Sequence, residues 1–237
     1  MTHERTDLTF PSLAGDLARL ARDLQRESGP QEVVDTVVAQ AVRMVDGAQH
    51  ASIGLVRGRR HVTSAAATDT VAERFDELQE ELGEGPCLDA LHVEPVVSVA
   101  DLAAETRWPR LAGEGPRRLG VRSMLCFQLF VAGEVMGNLN LLADAPDTFD
   151  QEARQAGEAL VAHAALALAA SRQIENLSNA LVNRDRIGQA KGILVERFKI
   201  TPDQAFSLLS RISQDRNQKL HEVAAQLVRE GSLERRG

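Results

Sequence analysis

The stretch RSMLCFQLFV (Arg122 to Val131), AGE (Ala132 to Glu134) and VMGNLNLL (Val135 to Leu142) is two strand-like runs joined by a short glycine-containing connection, which predicts an antiparallel hairpin. Alternation along the first run puts Leu125, Phe127, Leu129 and Val131 on one face and Met124, Cys126, Gln128 and Phe130 on the other. On the second run Asn138 and Asn140 share a face. One face of the sheet is thus apolar and suited to packing on helices. The other mixes Cys, Gln, Asn and Met, as a ligand cavity or a partly wet, solvent-facing surface does.

Upstream, Leu13, Leu17, Leu20 and Leu24 recur at helical spacing after Ser12, and Val33, Val34, Val37, Val38, Ala41 and Val45 do so after the breaker Gly29-Pro30. Ala51 to Val56 and His61 to Ala67 read as strands joined at Arg57-Gly58-Arg59. A charged helix from Thr70 to Leu82 follows, ended by the loop Gly83-Glu84-Gly85-Pro86.

Downstream of Asp147 a long helix is expected, with a seam of Phe149, Ala153, Ala156, Leu160, His163, Ala167, Ala170, Ile174, Leu177 and Leu181. Spacing that alternates four and three over this length predicts packing against another helix, in its later part that of a second subunit, with His163 as a packed core histidine. A homodimer is the expected assembly.

Charge divides the chain. Residues 182–237 hold 11 Lys and Arg against 7 Asp and Glu, a net of +4, so the other 181 residues carry −11 of the whole-chain −7. Phosphate contacts from Lys and Arg dominate nucleic-acid affinity, so a small basic end on an acidic body is suited to bind nucleic acid. MTHERTDLTF lacks the apolar core of a signal peptide. The longest apolar run, Ala159 to Ala170, is 12 residues interrupted by His163, short of the roughly 20 needed to span a bilayer. With two cysteines, Cys87 and Cys126, and no disulfide framework, a cytoplasmic protein without membrane contact is expected.

The element order over residues 12–180 resembles a GAF domain, an α+β sensor fold with a six-stranded type of antiparallel sheet and flanking helices. More specific are LGEGPCLDAL (Leu82 to Leu91), Arg107-Trp108-Pro109 and Gly120-Val121-Arg122-Ser123, which look like the GAF domains of actinobacterial regulators. The resemblance implies sensing of a small molecule or partner, without catalysis, in a pocket between the sheet and the loops around Gly83 to Leu91 and Trp108. The expected pocket residues are Cys87, Trp108, Met124, Cys126, Gln128, Asn138 and Asn140. The Asn-Lys-Phe-Asp-Glu signature of cyclic-nucleotide-binding GAF domains is absent.

RIGQAKGILVER (Arg186 to Arg197), Ala205-Phe206, Asn217-Gln218-Lys219-Leu220 and Val223-Ala224 are similar throughout to an ANTAR domain, the RNA-binding module of bacterial antiterminators. Three helices fit the local signals: Thr201-Pro202-Asp203-Gln204 is a capping box with Pro at the first helical position, Asn217 is a natural N-cap, and Gly231 follows the last apolar turn. The expected core stripes are Ile187, Ala190, Leu194 and Phe198; Ala205, Phe206, Leu209 and Ile212; and Leu220, Val223, Ala224 and Leu227. With both phenylalanines assigned to the core, base stacking is not expected. Lys191 falls at the edge of the first stripe, and Gly188 and Gly192 clear a strip beside it for a phosphate backbone or another helix. The expected RNA contacts are Arg184, Arg186, Gln189, Lys191, Arg197, Arg211, Asn217 and Lys219. The cations position phosphates, while Gln189 and Asn217 are available to base edges. Val195 and Ser210 depart from a common methionine and a common basic residue of the family.

The expected organisation is a flexible stretch 1–11, a GAF domain 12–150, a C-terminal GAF helix and coiled-coil linker 151–181, an all-α three-helix ANTAR domain 182–231 and a flexible tail 232–237. The resemblance implies antitermination by RNA hairpins held in a dimer, gated by a signal at the GAF domain rather than by a phospho-accepting receiver. Two other readings stand beside it: a helix-turn-helix type of DNA binding by the C-terminal helices, and a GAF-type reductase with Cys87 as nucleophile. No cofactor is expected. No metal is expected either, since Cys87, His92 and Cys126 lack a ligand spacing that singles them out.

Overall fold

A computed structural model describes residues 13–57, 61–92 and 94–231. The stretches 1–11 and 232–237, and Gly58 and Arg59 of the expected turn, lie outside the described residues. The chain divides into two compact units, residues 1–172 and 173–237.

In the first unit two helices, α1 (Leu13–Leu24) and α2 (Pro30–Met44), precede β1 (His50–Arg57) and β2 (His61–Ala67). Then come α3 (Thr70–Leu82), α4 (Pro86–His92), β3 (Val96–Val99), a 3-10 turn (Leu102–Ala104), α5 (Pro109–Leu119), β4 (Ser123–Val131), β5 (Glu134–Ala143) and α6 (Gln151–Phe198). All strand pairs are antiparallel, in the order β2-β1-β5-β4-β3. The sheet therefore has five strands among the described residues, where a six-stranded type was expected.

Both faces of the sheet are covered. Leu125, Phe127, Leu129, Leu139 and Leu141 pack against Leu20, Val37, Leu160 and Leu168 from α1, α2 and α6. On the opposite face Met124, Cys126 and Leu142 form a second core with Phe75, Leu78, Trp108 and Leu111 from α3, α5 and the loop before it. The expectation of a wet or cavity-lining face is corrected at these positions: Met124 and Cys126 are fully buried among apolar side chains.

Local chemistry sets the element ends. Asp69 caps α3 by accepting from the N–H groups of Val71 and Ala72, and Gly83, at φ +66°, closes it in the left-handed region that glycine tolerates best. Helix α5 escapes a reading by propensity because Pro109, Gly113, Gly115 and Pro116 crowd 11 residues. One of these glycines is a packing requirement, since a Cβ at Gly115 meets Leu102 Cδ2 at 2.9 Å and Phe75 Cε2 at 3.4 Å.

Helix α6 buries Ala153, Ala156, Leu160, Ala164 and Leu168 on the sheet, a stripe that drifts as a straight 3.6-residue helix does rather than holding a heptad. The expected seam is corrected accordingly: His163 is exposed, with its Nδ1 2.8 Å from the Ala159 carbonyl oxygen, and is not a packed core residue. Leu166, Ile174, Leu177 and Leu181 are exposed.

The second unit comprises the later part of α6, α7 (Pro202–Asp215) and α8 (Leu220–Glu230). The first of the three expected helices is thus no separate element, because α6 runs without a break past Leu181 to Phe198. The capping box is present, with the Gln204 N–H donating to Thr201 Oγ1 and the Thr201 N–H to Gln204 Oε1. Asn217 is not an N-cap. It sits in the left-handed region at φ +49° just after α7, and Lys219 occupies the cap of α8. Ala190, Leu194, Ala205, Leu209, Val223, Ala224 and Leu227 make the core. Phe198 and Phe206 do not join it: they are 57% and 43% exposed.

Gly157 marks the closest approach of α6 to the sheet, where a Cβ would lie 2.4 Å from Cζ of the fully buried Phe127. Alanine ordinarily stabilises a helix by about 1 kcal/mol over glycine, yet Gly157→Ala is expected to destabilise the protein by about 1–3 kcal/mol through overpacking. Urea unfolding of the variant checks this, and a gain in stability refutes the contact.

Candidate functional site

In the first unit a cavity of about 420 Å³ opens between β1, β2 and β5 on one side and α3 and α4 on the other, lined among others by Ser64, Asp76, Gln79, Cys87 and Asn138. Asp76 is the centre of its polar wall. Its Oδ1 accepts from Ser52 Oγ at 2.9 Å and from Asn140 Nδ2 at 2.9 Å, and its Oδ2 from Ser64 Oγ at 3.0 Å. Burial pushes its carboxyl up from the ordinary 3.8 to about 6, against the lowering effect of these three donors.

The network continues inward. Asn140 Oδ1 accepts from Asn138 Nδ2 at 3.1 Å, and Asn138 also donates to Cys126 Sγ at 3.5 Å. An ionised Asp76 demands the Nδ2 end of Asn140. Asn140 then presents Oδ1 to Asn138, and Asn138 must turn its own Oδ1 away from the network. That oxygen is buried and has no hydrogen-bond partner among the described residues.

The two cysteines are buried neighbours. Cys87 Sγ accepts from Gln79 Nε2 at 2.8 Å, while the Cys87 N–H donates to Gln79 Oε1 at 3.0 Å. Burial pushes the Cys87 thiol well above the ordinary range, and the adjoining Cys126 pushes it further. Of the seven expected pocket residues, Cys87 and Asn138 line the cavity. Asn140 stands behind Asn138 in the network, and Met124 and Cys126 belong to the core. Gln128 donates to the Ala90 carbonyl at 2.9 Å. Trp108 is buried, its Nε1–H donating to Asp89 Oδ2 at 3.0 Å with the Arg107 guanidinium 4.4 Å above its ring, so it ties α4 to the start of α5. Asp76, Ser52, Ser64 and Gln79 escaped the sequence reading. A signal was present: Asp76 and Gln79 fall in the stripe of α3 that Ala72, Phe75 and Leu78 bury.

In the second unit a groove is lined by Asn183, Arg184, Gly188, Gln189, Lys191 and Phe206 among others. Three of the expected RNA contacts, Arg184, Gln189 and Lys191, meet there. The Lys191 ammonium lies 5.9 Å from the centroid of the Phe206 ring. A Cβ at Gly188 or Gly192 meets nothing within 4 Å among the described residues, so neither glycine serves packing among them. Arg186 is exposed about 200° around the helix from Arg184 and outside the groove. Arg197 donates to the Gly231 carbonyl at the end of α8. Arg211, Asn217 and Lys219 are exposed on or after α7, also outside the groove. The groove adds Asn183 and Phe206, which the sequence reading left out.

The described residues contain no group of three or more His, Cys, Asp or Glu placed to hold a metal ion, and the His92 side chain lies outside them. No described helix is long and apolar enough to cross a membrane.

Fold and sites together define a sensor domain joined to a regulatory helical module. A GAF-domain family model matches residues 27–169 and an ANTAR-domain model residues 175–228, so the chain belongs to the GAF family and carries an ANTAR domain, which indicates an RNA-binding antitermination regulator. Comparison with curated proteins finds no match. Among solved structures the chain is similar to the GAF domain of an Acinetobacter phosphoenolpyruvate-protein phosphotransferase, at 18% identity and TM-score 0.53, over 69% of this chain and 97% of that one. It is also similar to free methionine-R-sulfoxide reductase from Neisseria meningitidis in complex with its substrate, at 18% identity and TM-score 0.55, over 68% and 91%. A third is the Stigmatella aurantiaca phytochrome photosensory core module, at 16% identity and TM-score 0.58, over 90% of this chain and 47% of that one. These likenesses concern the fold.

The raised carboxyl pKa has a measurable consequence. Folded Asp76 holds its proton more tightly than the unfolded chain does, so its ionisation lowers stability as pH rises from 3.8 to about 6. The stability of wild type minus that of Asp76→Asn is expected to fall by on the order of 2 kcal/mol between about pH 4 and pH 7. Urea unfolding across that range checks this, and a flat or rising difference rules it out.

Proposed function

We propose that the protein is a dimeric transcription antitermination regulator of the cytoplasm whose ANTAR domain binds hairpin RNA and whose GAF domain gates that binding in response to a small molecule or partner. The observation that carries the reading is the groove of the second unit. Arg184 and Lys191 border a strip that Gly188 leaves bare, and the exposed Phe206 ring lies beside it. Cations at a bare strip suit a phosphate backbone, and an exposed ring suits an unstacked loop base, the form in which RNA is read by sequence. Arg186, Arg211 and Lys219 add sequence-independent attraction from outside the groove, and Gln189 supplies a polar contact within it. The position of Asn217 leaves its side chain available as a further contact.

Dimerisation is supported by Leu166, Ile174, Leu177 and Leu181, large apolar side chains that α6 leaves exposed within about 80° of one another around the helix. Because α6 belongs to both units, a signal that repacks its first half on the sheet travels along an unbroken helix to the groove. A regulator rather than a reductase is supported at Cys87, whose thiolate is disfavoured by burial where a nucleophile needs it favoured.

The test is titration of the full-length protein against a labelled RNA with two small-loop hairpins, beside a duplex DNA of equal length, at several salt concentrations. RNA is expected to bind more tightly than DNA. Lys191→Ala is expected to weaken binding to all hairpins and to reduce the salt slope by about 1. Preference for the duplex establishes DNA binding instead. A companion variant separates binding from folding: Gly188→Ala is expected to stabilise the protein by up to about 1 kcal/mol, since its methyl group meets open space. It is expected to weaken RNA binding. Stabilisation with unchanged RNA affinity removes the strip from the interface.

A further inference from the structure

The sensor cavity of the first unit has a definite chemical sign. Asp76, Glu77 and Glu80 are among its lining residues, and among the described residues no Lys, Arg or His is. Among the described residues no Lys, Arg or His forms an ion pair with Asp76; its oxygens are met by two hydroxyls and one amide. A carboxylate accepts about four hydrogen bonds, so Oδ2, with Ser64 alone, has capacity left. The second acceptor is the Asn138 Oδ1, which the Asp76–Asn140–Asn138 relay turns out of the network and leaves buried without a donor among the described residues. A buried acceptor without a partner is costly, and a carboxylate without a counter-charge more so. Both deficits are of one kind: the cavity wants N–H donors and positive charge. Val62 and Leu88 give it apolar wall as well, and about 420 Å³ is within the range of small-molecule sites.

Resting on the reading of this cavity as the sensor site, we propose that it binds a small organic cation bearing an ammonium, guanidinium or amidinium group. Asp76 supplies the counter-charge, Asn138 Oδ1 takes a second N–H, and Val62 and Leu88 cover the hydrocarbon part. A carboxylate or phosphate ligand meets three acidic side chains, and is rejected.

The experiment is calorimetric titration and thermal shift of the full-length protein at neutral pH and physiological salt. The cationic probes are agmatine, butylamine and benzamidine; the controls are butyramide, glutarate, MgCl2 and CaCl2. At least one organic cation is expected to bind and raise the melting temperature. Asp76→Asn is expected to weaken it by roughly ten- to hundredfold, the range for a hydrogen bond to a charged group. Glu134→Gln, an exposed carboxylate outside the cavity, is expected to change it by less than about threefold, as for a distant, screened charge. Should Asp76→Asn fail to fold, wild type alone decides: on titration the side-chain amide resonances of Asn138 and Gln79 are expected to shift before any amide of the exposed surface.

Equal affinity of Asp76→Asn, or shifts confined to surface amides, means that the acidic protein attracts cations generally, and overturns the proposal. A response to the metal salts alone overturns the organic class. Binding of butyramide or glutarate with none of the cations overturns the charge assignment and leaves the sensor reading intact. Silence from every probe overturns the ligand class, while the sensor reading is judged separately by whether removal of the first unit changes RNA affinity.

Discussion

Burial of the sheet on both faces is the constraint from which the first unit follows. With α1, α2 and α6 on one side and α3, α4 and α5 on the other, every inward side chain of β1, β4 and β5 must be apolar or must find its polar partners within the protein. Strand β4 meets the demand with Leu125, Phe127 and Leu129 on one face and Met124 and Cys126 on the other. Strand β5 does not, because Asn138 and Asn140 point into the second layer. Ser52, Ser64 and Asp76 answer them from β1, β2 and α3. The answer is incomplete by one acceptor, and that shortfall borders the cavity.

Helix α6 works under a different constraint, since one continuous segment serves two cores. Its buried stripe on the sheet, from Ala153 to Leu168, is made mostly of alanine and glycine, which lets the helix lie so close that Gly157 admits no methyl group beside Phe127. Beyond Leu168 the helix offers Ile174, Leu177 and Leu181 to solvent before Ala190 and Leu194 enter the second core. A helix of 48 residues with small side chains at one end and exposed large ones in the middle has its contacts concentrated at its ends, so its middle is where an outside partner fits.

Much of this was legible in the chain because the signals were periodic. The alternation of β4 and β5, the valine stripe of α2 and the cap of α7 each state their element by spacing alone. What escaped the reading lacked a period. Strand β3 is four residues long, α5 is crowded with proline and glycine, and Pro86–His92 reads as the end of a loop although it forms a turn or two of helix. Along the first half of α6 the heptad was a false period, because alanines at three-and-four spacing satisfy 3.5 and 3.6 equally well over a few turns. Phe198 and Phe206 show the complementary error: an aromatic on an apolar stripe is assigned to the core by pattern, but a three-helix core filled by Leu194, Leu209 and Leu227 leaves two rings at the edge.

The site residues divide along the same line. Lys191 and Gly188 were visible because a charge at a stripe edge and a bare strip in a helix both violate local preference, and such violations collect where a molecule does something besides fold. Asp76 violates it as well, sitting within the buried stripe of α3, yet a single carboxylate in a charged helix is easily read as solvated. Its meaning comes from three strands and a helix meeting around it, an arrangement with no trace in the spacing of any one element. The relay from Asp76 through Asn140 fixes which end of Asn138 joins the network, so a charge on a helix orients an amide on a strand. Protonating Asp76 removes that demand: Asn140 is then free to turn its oxygen toward the acid, and Asn138 to turn its Nδ2 outward. The demand that orients the two amides thus rests on one proton of one residue.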